Sequence, residues 1–235
     1  MGLKDMNITI KLLPERLFET VKILEKRIKD RFPDSSLGKV LNDFVAVTSQ
    51  ISKNIDWISK PSLFIRSTTY LVVFFLLFFM FYWLKKFDFV LHEMSFERLL
   101  NISYLIFNNL VILAAIILFL LNFEQRVLRR KAITVLHELK VIAHVIDMHQ
   151  LTKDPSLIGE YDKATQYSPT RNYTKFELER YLDYCSESIS LIAKVAALYS
   201  QHIKNEAVHK SVSEIEMLCA GINRKIWQKI IILNN

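Results

Sequence analysis

The chain has 235 residues, of which 51% are hydrophobic, and a formal net charge of +7 at pH 7. Only four glycines and five prolines interrupt it, so the composition predicts an all-α protein and excludes one built on strands and tight turns. Acidic residues are interleaved with the basic ones on both sides of the apolar region, which argues against a nucleic-acid partner.

Two amphipathic helices are predicted before the apolar region. The first begins at Pro14, where a proline suits the first helical turn, and ends before Pro33. The second follows capping residues at 34–36 and ends at Lys60 and Pro61. We expect these two helices to form an antiparallel cytosolic hairpin over residues 1–62.

Two long blocks without a charged residue come next. The first runs from Ser67 to Leu84, with one more apolar turn at 63–65, and the second runs from Leu99 to Phe123. A helix needs roughly 20 residues to cross a hydrocarbon core of about 30 Å, and both blocks meet that length. The sequence therefore predicts a transmembrane hairpin over residues 63–123, with spans of about 63–84 and 99–123 and a short loop over 85–98.

The alternative is a pair of buried core helices in a soluble protein. Five Phe residues in the first block, with no polar residue between Leu71 and Met80, favour the membrane instead.

Basic residues near the predicted spans indicate their orientation. Seven flank the outer ends of the hairpin, whereas its loop holds three, Lys85, Lys86 and Arg98. We therefore expect a multi-pass inner-membrane protein with both termini in the cytoplasm. The seven are Lys53, Lys60, Arg66, Arg126, Arg129, Arg130 and Lys131. The last four are expected to contact anionic lipid headgroups, at about 1 kcal/mol each.

The second predicted span carries a regular polar stripe. Asn101, Asn108, Ala115 and Asn122 recur every seven residues, with Ile112 between them. They drift by only about 20° per heptad and share one narrow face of the helix. Seven-residue spacing is typical of packed helices, where small residues allow close approach and amides hydrogen-bond to the partner. An asparagine alone in lipid would cost several kcal/mol, so this amide stripe is expected to face protein or water.

The sequence is compatible with three surroundings for the amide stripe. It can pack against the first span, form a seam between subunits, or line a pore in an oligomer. The polar groups of the first span, Thr68, Thr69 and Tyr70, lie at its end, whereas Asn108 lies nearer mid-membrane. This mismatch favours a homo-oligomer that assembles through the second span.

Residues 124–235 are predicted to form a cytosolic helical domain that continues from the second span. No helix breaker occurs before Asp154, so one helix is expected to run from the membrane through Leu151. After a loop, Thr174 and Glu177 have the spacing of a capping box, and a last helix begins near Glu206. We expect these helices to pack as a bundle to which the N-terminal hairpin can add, with both cysteines reduced.

His137, His144 and Asp147 share one face of the long helix. Side chains two turns apart are about 10 Å from each other, too far to bind one zinc ion without another helix. A solvated polar face is the simplest interpretation, and a subunit contact, a pH-responsive ridge or a metal site are the alternatives.

Motifs of catalysis are missing from the sequence. It has no glycine-rich phosphate loop, nucleophile elbow, zinc-protease motif or paired cysteines, and the two blocks Ser67–Leu84 and Leu99–Phe123 contain no Asp, Glu, His, Lys or Arg. We therefore expect no enzymatic activity and no cofactor.

The arrangement resembles small bacterial two-span effectors of the SLATT class. The short loop 85–98 and the long helix after the second span, with Arg129 and Arg130, carry the likeness. The resemblance implies a pore under the control of a partner. Three hypotheses follow: a channel or pore-type effector controlled by its cytosolic helices, a non-conducting membrane anchor or scaffold that recruits a cytosolic protein, and a metal or pH sensor that uses His137 and His144.

Overall fold

The computed structural model describes residues 11–59, 63–86, 96–155, 166–167 and 173–234. Within these ranges the regular elements are helices and no strand occurs, which confirms the all-α prediction there. The helices are α1 (Pro14–Arg31), α2 (Ser36–Ser59), α3 (Leu63–Lys86), α4 (Phe96–Leu121), α5 (Phe123–Leu151), α6 (Lys175–His202) and α7 (Glu206–Asn234). Most of the predicted loop 85–98, and most of the loop before α6, lie outside the described residues.

The chain divides into two compact units. The terminal unit comprises the chain through Ser59 and again from Arg129 onward. The apolar unit comprises residues 60–128, in which α3 and α4 contact each other. The N-terminal helices therefore fold together with the C-terminal ones, although the apolar segment separates them along the chain.

A single hydrophobic core holds the terminal unit together. In this unit α1 packs against α2 and α6, and α6 packs against α7. Each of these helices, and α5 as well, contributes one apolar face to the core; fully or almost fully buried examples are Leu24, Leu41, Leu139, Tyr181 and Ile226. Burying a large apolar side chain contributes about 1.5–3 kcal/mol, so this core is the main source of stability in the unit.

Polar contacts at both ends of α1 fix its direction along α6. The side-chain amide of Gln201 accepts a hydrogen bond from the backbone N–H of Leu12 at 3.0 Å and donates to the Leu12 carbonyl at 3.2 Å. Towards the other end of α1, the Arg27 guanidinium donates to both carboxylate oxygens of Glu187, at 2.9 and 3.3 Å. The two helices are therefore antiparallel. The ion pair is well exposed, so it orients α1 more than it stabilises the fold.

Helices α5 and α7 run in the same direction. Lys140 pairs with Glu214 at 3.5 Å, and about three turns further along α5 and four along α7 the Lys229 ammonium donates to the Gln150 carbonyl at 2.6 Å. The Gln150 carbonyl, at the C-terminal end of α5, also accepts the Lys153 backbone N–H at 3.1 Å.

The predicted capping box at the start of α6 is confirmed. The Glu177 backbone N–H donates to the Thr174 hydroxyl at 3.2 Å, and the Thr174 backbone N–H donates to the Glu177 carboxylate at 2.8 Å. The bond from the Thr174 N–H, and a second one from the Thr174 hydroxyl to the same carboxylate at 2.9 Å, lower the pKa of the Glu177 carboxyl below its usual range. The local pattern Thr-x-x-Glu thus determines where α6 begins.

The long helix predicted from the second span through Leu151 differs from the structure at one residue. Asn122 forms a turn between α4 and α5. Hydrogen bonds from the Asn122 N–H to the Leu118 carbonyl and from the Arg126 N–H to the Asn122 carbonyl, both 3.2 Å, continue across it. The Asn122 side chain also donates to the Leu118 carbonyl at 2.7 Å, and this competition with the backbone pattern explains the local irregularity.

One described helical stretch, Ile106–Leu151, contains a segment long and apolar enough to cross a membrane, and none of that segment is buried. The apolar stretch Ser67–Tyr82 of α3 is shorter. Length and composition therefore support one possible span among the described residues, while the span predicted at 63–84 stays a prediction.

Both cysteines are free and buried in the terminal unit. Burial raises the pKa of the Cys185 thiol to about 12 and that of the Cys219 thiol to about 11. The reactive form of a cysteine is the thiolate, so both side chains act as small apolar core residues.

Replacing Thr174 by Ala should lower the free energy of unfolding by about 0.5–2 kcal/mol, because the first turn of α6 loses its cap. Urea unfolding of the purified protein measures this change. Thr20→Ala is a matched control, since the Thr20 hydroxyl only bonds the Arg16 carbonyl inside α1 at 2.7 Å. An equal loss in both variants would contradict the role of the capping box.

The native protein should resist labelling by a disulfide reagent such as dithionitrobenzoate at pH 8, because both thiols are buried and mostly protonated. Unfolding in urea should release two reactive thiols, the number in the sequence. A cysteine placed at the exposed position Lys210 provides the positive control. Rapid labelling of the folded wild-type protein would show that the core is open.

Candidate oligomer seam and polar helix face

Helices α3 and α4 each have one half-buried face in the apolar unit. The half-buried residues are Thr69, Val73, Leu76 and Met80 on α3, and Leu113, Ile117 and Leu120 on α4. Both sets follow the alternating spacing of three and four residues that one packed face of a helix requires. Because α3 and α4 contact each other, we infer that these two faces meet.

The amide stripe lies on a different side of α4. All five of its residues are exposed: Asn101, Asn108, Ile112, Ala115 and Asn122. At about 100° per residue, Asn108 and Leu113 point about 140° apart, so the stripe faces away from α3. The described contacts of the chain therefore leave the stripe uncovered. A second subunit or an aqueous pore stays a prediction for what meets it.

The members of the stripe differ in what their polar groups require. The Asn122 amide already donates to the Leu118 carbonyl of its own helix, so this residue has a local partner. Ala115 has no polar side-chain atom and offers a flat surface for close approach of another helix. Asn108 lies 14 residues before Asn122 in a stretch without charge, which places it about four turns deeper along the helix. Asn108 and Ala115 are thus the residues on which a seam would depend most.

Three of the residues predicted to meet lipid headgroups, Arg129, Arg130 and Lys131, have exposed side chains. Arg126, the fourth, is also exposed, and its guanidinium carbon lies 4.9 Å from the centre of the Phe119 ring. Stacking on an aromatic ring holds an arginine close to an apolar surface while leaving its donors accessible. This geometry suits a guanidinium at the boundary between an apolar layer and water.

The three polar residues of the α5 face do not form one site. His137 and His144 are exposed, whereas Asp147 is half-buried beside α7. Asp147 accepts a hydrogen bond from the Gln150 amide at 2.7 Å and pairs with the Lys225 ammonium at 3.7 Å. Its carboxylate is thus engaged in the packing of α5 on α7.

The metal-site hypothesis receives no support from the geometry. Throughout the described ranges no three His, Cys, Asp or Glu side chains are arranged to hold a metal ion.

An aromatic and cationic cluster that the sequence did not reveal lies in the terminal unit. The Lys153 ammonium is 4.3 Å from the centre of the Tyr173 ring and 5.3 Å from that of Tyr181. The Phe32 ring meets both tyrosines edge-on, at 5.7 and 5.6 Å between ring centres. Burial lowers the pKa of Lys153 and raises that of Tyr181. The cluster ties the chain on both sides of the α5–α6 loop to the end of α1.

Comparisons of the chain with protein-family models, curated proteins and solved structures found no match.

Proposed function

We propose that the chain is an integral membrane protein that crosses the bilayer twice, oligomerises through the amide stripe of α4, and acts as a channel or pore-type effector controlled by the terminal unit. The exposure of Asn108 and Ala115 on the side of α4 away from α3 carries this proposal. Exposing unpaired amides to hydrocarbon costs free energy. In an oligomer, a second copy of the helix supplies hydrogen-bond partners for them.

The first span of this proposal is α3. Its apolar stretch is short, but the whole helix Leu63–Lys86 has 24 residues, about 36 Å at 1.5 Å per residue. Long basic side chains near the end of a span can reach the headgroups, so the charge of Arg66 is compatible with a span. Large exposed aromatic residues cover α3, among them Phe74, Phe75 and Phe78, which suits contact with acyl chains better than contact with water.

Conduction in this proposal requires several copies. Two helices cannot enclose a path for ions, so the pore would lie where the α4 helices of different subunits meet. The asparagine amides on that surface can hydrogen-bond to water as well as to each other. The same stripe thus serves as a subunit seam in one arrangement and as a pore lining in another.

In this proposal the terminal unit controls the opening of the pore. Only Asn122 separates the end of α4 from the start of α5. Apolar residues of α5, such as Leu136 and Ile146, are buried in the core of the terminal unit. A cytosolic partner that shifts the core would act on α4 through the continuous backbone. The resemblance to two-span effectors supports this division of roles, in which cytosolic helices receive a signal and membrane helices respond.

Ion flux from liposomes that contain the purified protein tests the channel. Wild-type protein should release trapped ions, and Asn108→Leu should reduce the flux because it removes interhelical hydrogen bonds. Leu110→Val, an exposed apolar position about 160° around α4 from Asn108, should keep wild-type flux. Stable oligomers that pass no ions, with Asn108→Leu as active as wild type, would favour the non-conducting anchor that recruits a cytosolic protein.

Two neighbouring alanines test the seam itself. Ala115→Leu should block close helix approach, whereas Ala114→Leu changes the same volume about 100° around α4. By holding the helices apart, Ala115→Leu should break the interhelical bonds of the neighbouring amides, which contribute about 0.6–2 kcal/mol. We therefore expect roughly 3- to 30-fold weaker association for Ala115→Leu alone. Analytical ultracentrifugation in detergent measures it. Equal effects of both variants would contradict a seam on the stripe.

A further inference from the structure

A histidine in the last turn of α5 contacts the start of α2. The Ser36 hydroxyl and Nδ1 of the His149 imidazole lie 3.1 Å apart, within hydrogen-bond distance, although the two residues are 113 positions apart in the chain. His149 is half-buried, whereas His137 and His144 on the same helix are exposed. The contact therefore joins the N-terminal helices to α5 through a side chain whose charge can change between about pH 5 and 8.

A positive charge is held next to this histidine. Lys153 follows His149 by four residues, and its ammonium lies 4.3 Å from the centre of the Tyr173 ring and 5.3 Å from that of Tyr181. Because the faces of these rings attract the cation, they keep it in place. The buried thiol of Cys185, which is also near the ammonium, is neutral, since burial raises its pKa to about 12. The charge of Lys153 is therefore not cancelled from α6.

The surroundings of His149 disfavour a proton on its ring. Burial, and next the charge of Lys153, lower the pKa of the imidazole. Ser36 is the first residue of α2, so the ring also lies at the positive end of that helix, which the negative end of α5 offsets. The charges beside Ser36, Asp34 and Lys39, are exposed and opposite, so they largely cancel. The full charge of Lys153 and the lost hydration stay uncompensated.

The carboxylates near the end of α5 are engaged with α7. Asp147 lies on the same helix as His149 but pairs with the Lys225 ammonium at 3.7 Å. Burial lowers the pKa of Lys229, and the charge of Asp154 counteracts this effect. Neither carboxylate raises the pKa of His149 noticeably. A protonated imidazole would thus find no counter-charge among these groups.

We propose that the contact between Ser36 and His149 is an acid-sensitive latch, which holds the start of α2 on the end of α5 and opens when the imidazole takes up a proton. The folded chain disfavours the charged ring, so it binds fewer protons here than the unfolded chain does. The contact is therefore fully stable above about pH 6.5, and its stability is lost as the pH falls through the lower pKa of the folded state. This inference concerns the terminal unit alone and does not depend on an oligomer of α4.

Amide hydrogen exchange of the purified full chain tests the latch, with mass spectrometry at about pH 7.5 and pH 5.5 and correction for the intrinsic rate. In the wild type, peptides from the start of α2 and the end of α5 should exchange several-fold faster at the lower pH. The middle of α7 should stay equally protected. Protection at the start of α2 that does not change with pH would overturn the latch.

Two histidine variants show whether His149 is the titrating group. His149→Gln keeps an uncharged side chain that can hydrogen-bond, so the pH effect at the start of α2 should disappear. His144→Gln changes an exposed histidine on the same helix and should leave the effect as in the wild type. An undiminished effect in His149→Gln would overturn the proposal.

Two further variants distinguish a titrating latch from a merely structural contact. Lys153→Met removes the neighbouring charge, so the difference in exchange between the two pH values should shrink. Ser36→Asp changes an exposed residue and places a carboxylate beside the imidazole, which favours the protonated form. The start of α2 should then be better protected at the lower pH, the reverse of the wild type. Faster exchange at low pH in Ser36→Asp would show that another group titrates and would overturn the latch.

Discussion

The burial of one face of α5 determines how the other surfaces of the terminal unit can be used. Leu136, Leu139 and Ile146 are completely or almost completely buried, and each contributes about 1.5–3 kcal/mol through the hydrophobic effect. Rotating the helix would expose them, so the side chains half a turn away must point outward. The exposure of His137 and His144 is therefore a consequence of the core.

The amide stripe is a second surface that the described contacts leave uncovered. Helix α4 packs against α3 with an apolar face and directs Asn108 and Ala115 elsewhere. Asn122 shows one way in which an amide can be satisfied, by donating to the carbonyl four residues earlier. That bond occupies only part of the hydrogen-bonding capacity of an amide and accompanies a turn in the helix. Hydrogen bonds to a group outside the subunit are the other way to satisfy an amide, and the proposed oligomer depends on them.

Signals that act within a few residues could be interpreted from the sequence with good accuracy. Pro14 stands at the start of α1, and Thr174 with Glu177 forms the cap of α6, as their spacing predicted. These predictions hold because a proline or a cap changes the energy of the neighbouring backbone whatever the rest of the chain does. The turn at Asn122 was not predicted, because the sequence does not show whether the amide of an asparagine bonds to its own helix or to a neighbouring one.

The all-α composition, the limits of most helices and the sets of residues that share a face can be predicted from the sequence, since they depend on propensity and on the period of the α-helix. The association of the N-terminal helices with the C-terminal ones, the position of Lys153 over the rings of Tyr173 and Tyr181, and the pairing of Asp147 with Lys225 appear only in the folded chain. A repeating pattern defines a face, but the partner of that face depends on contacts between residues far apart in the chain.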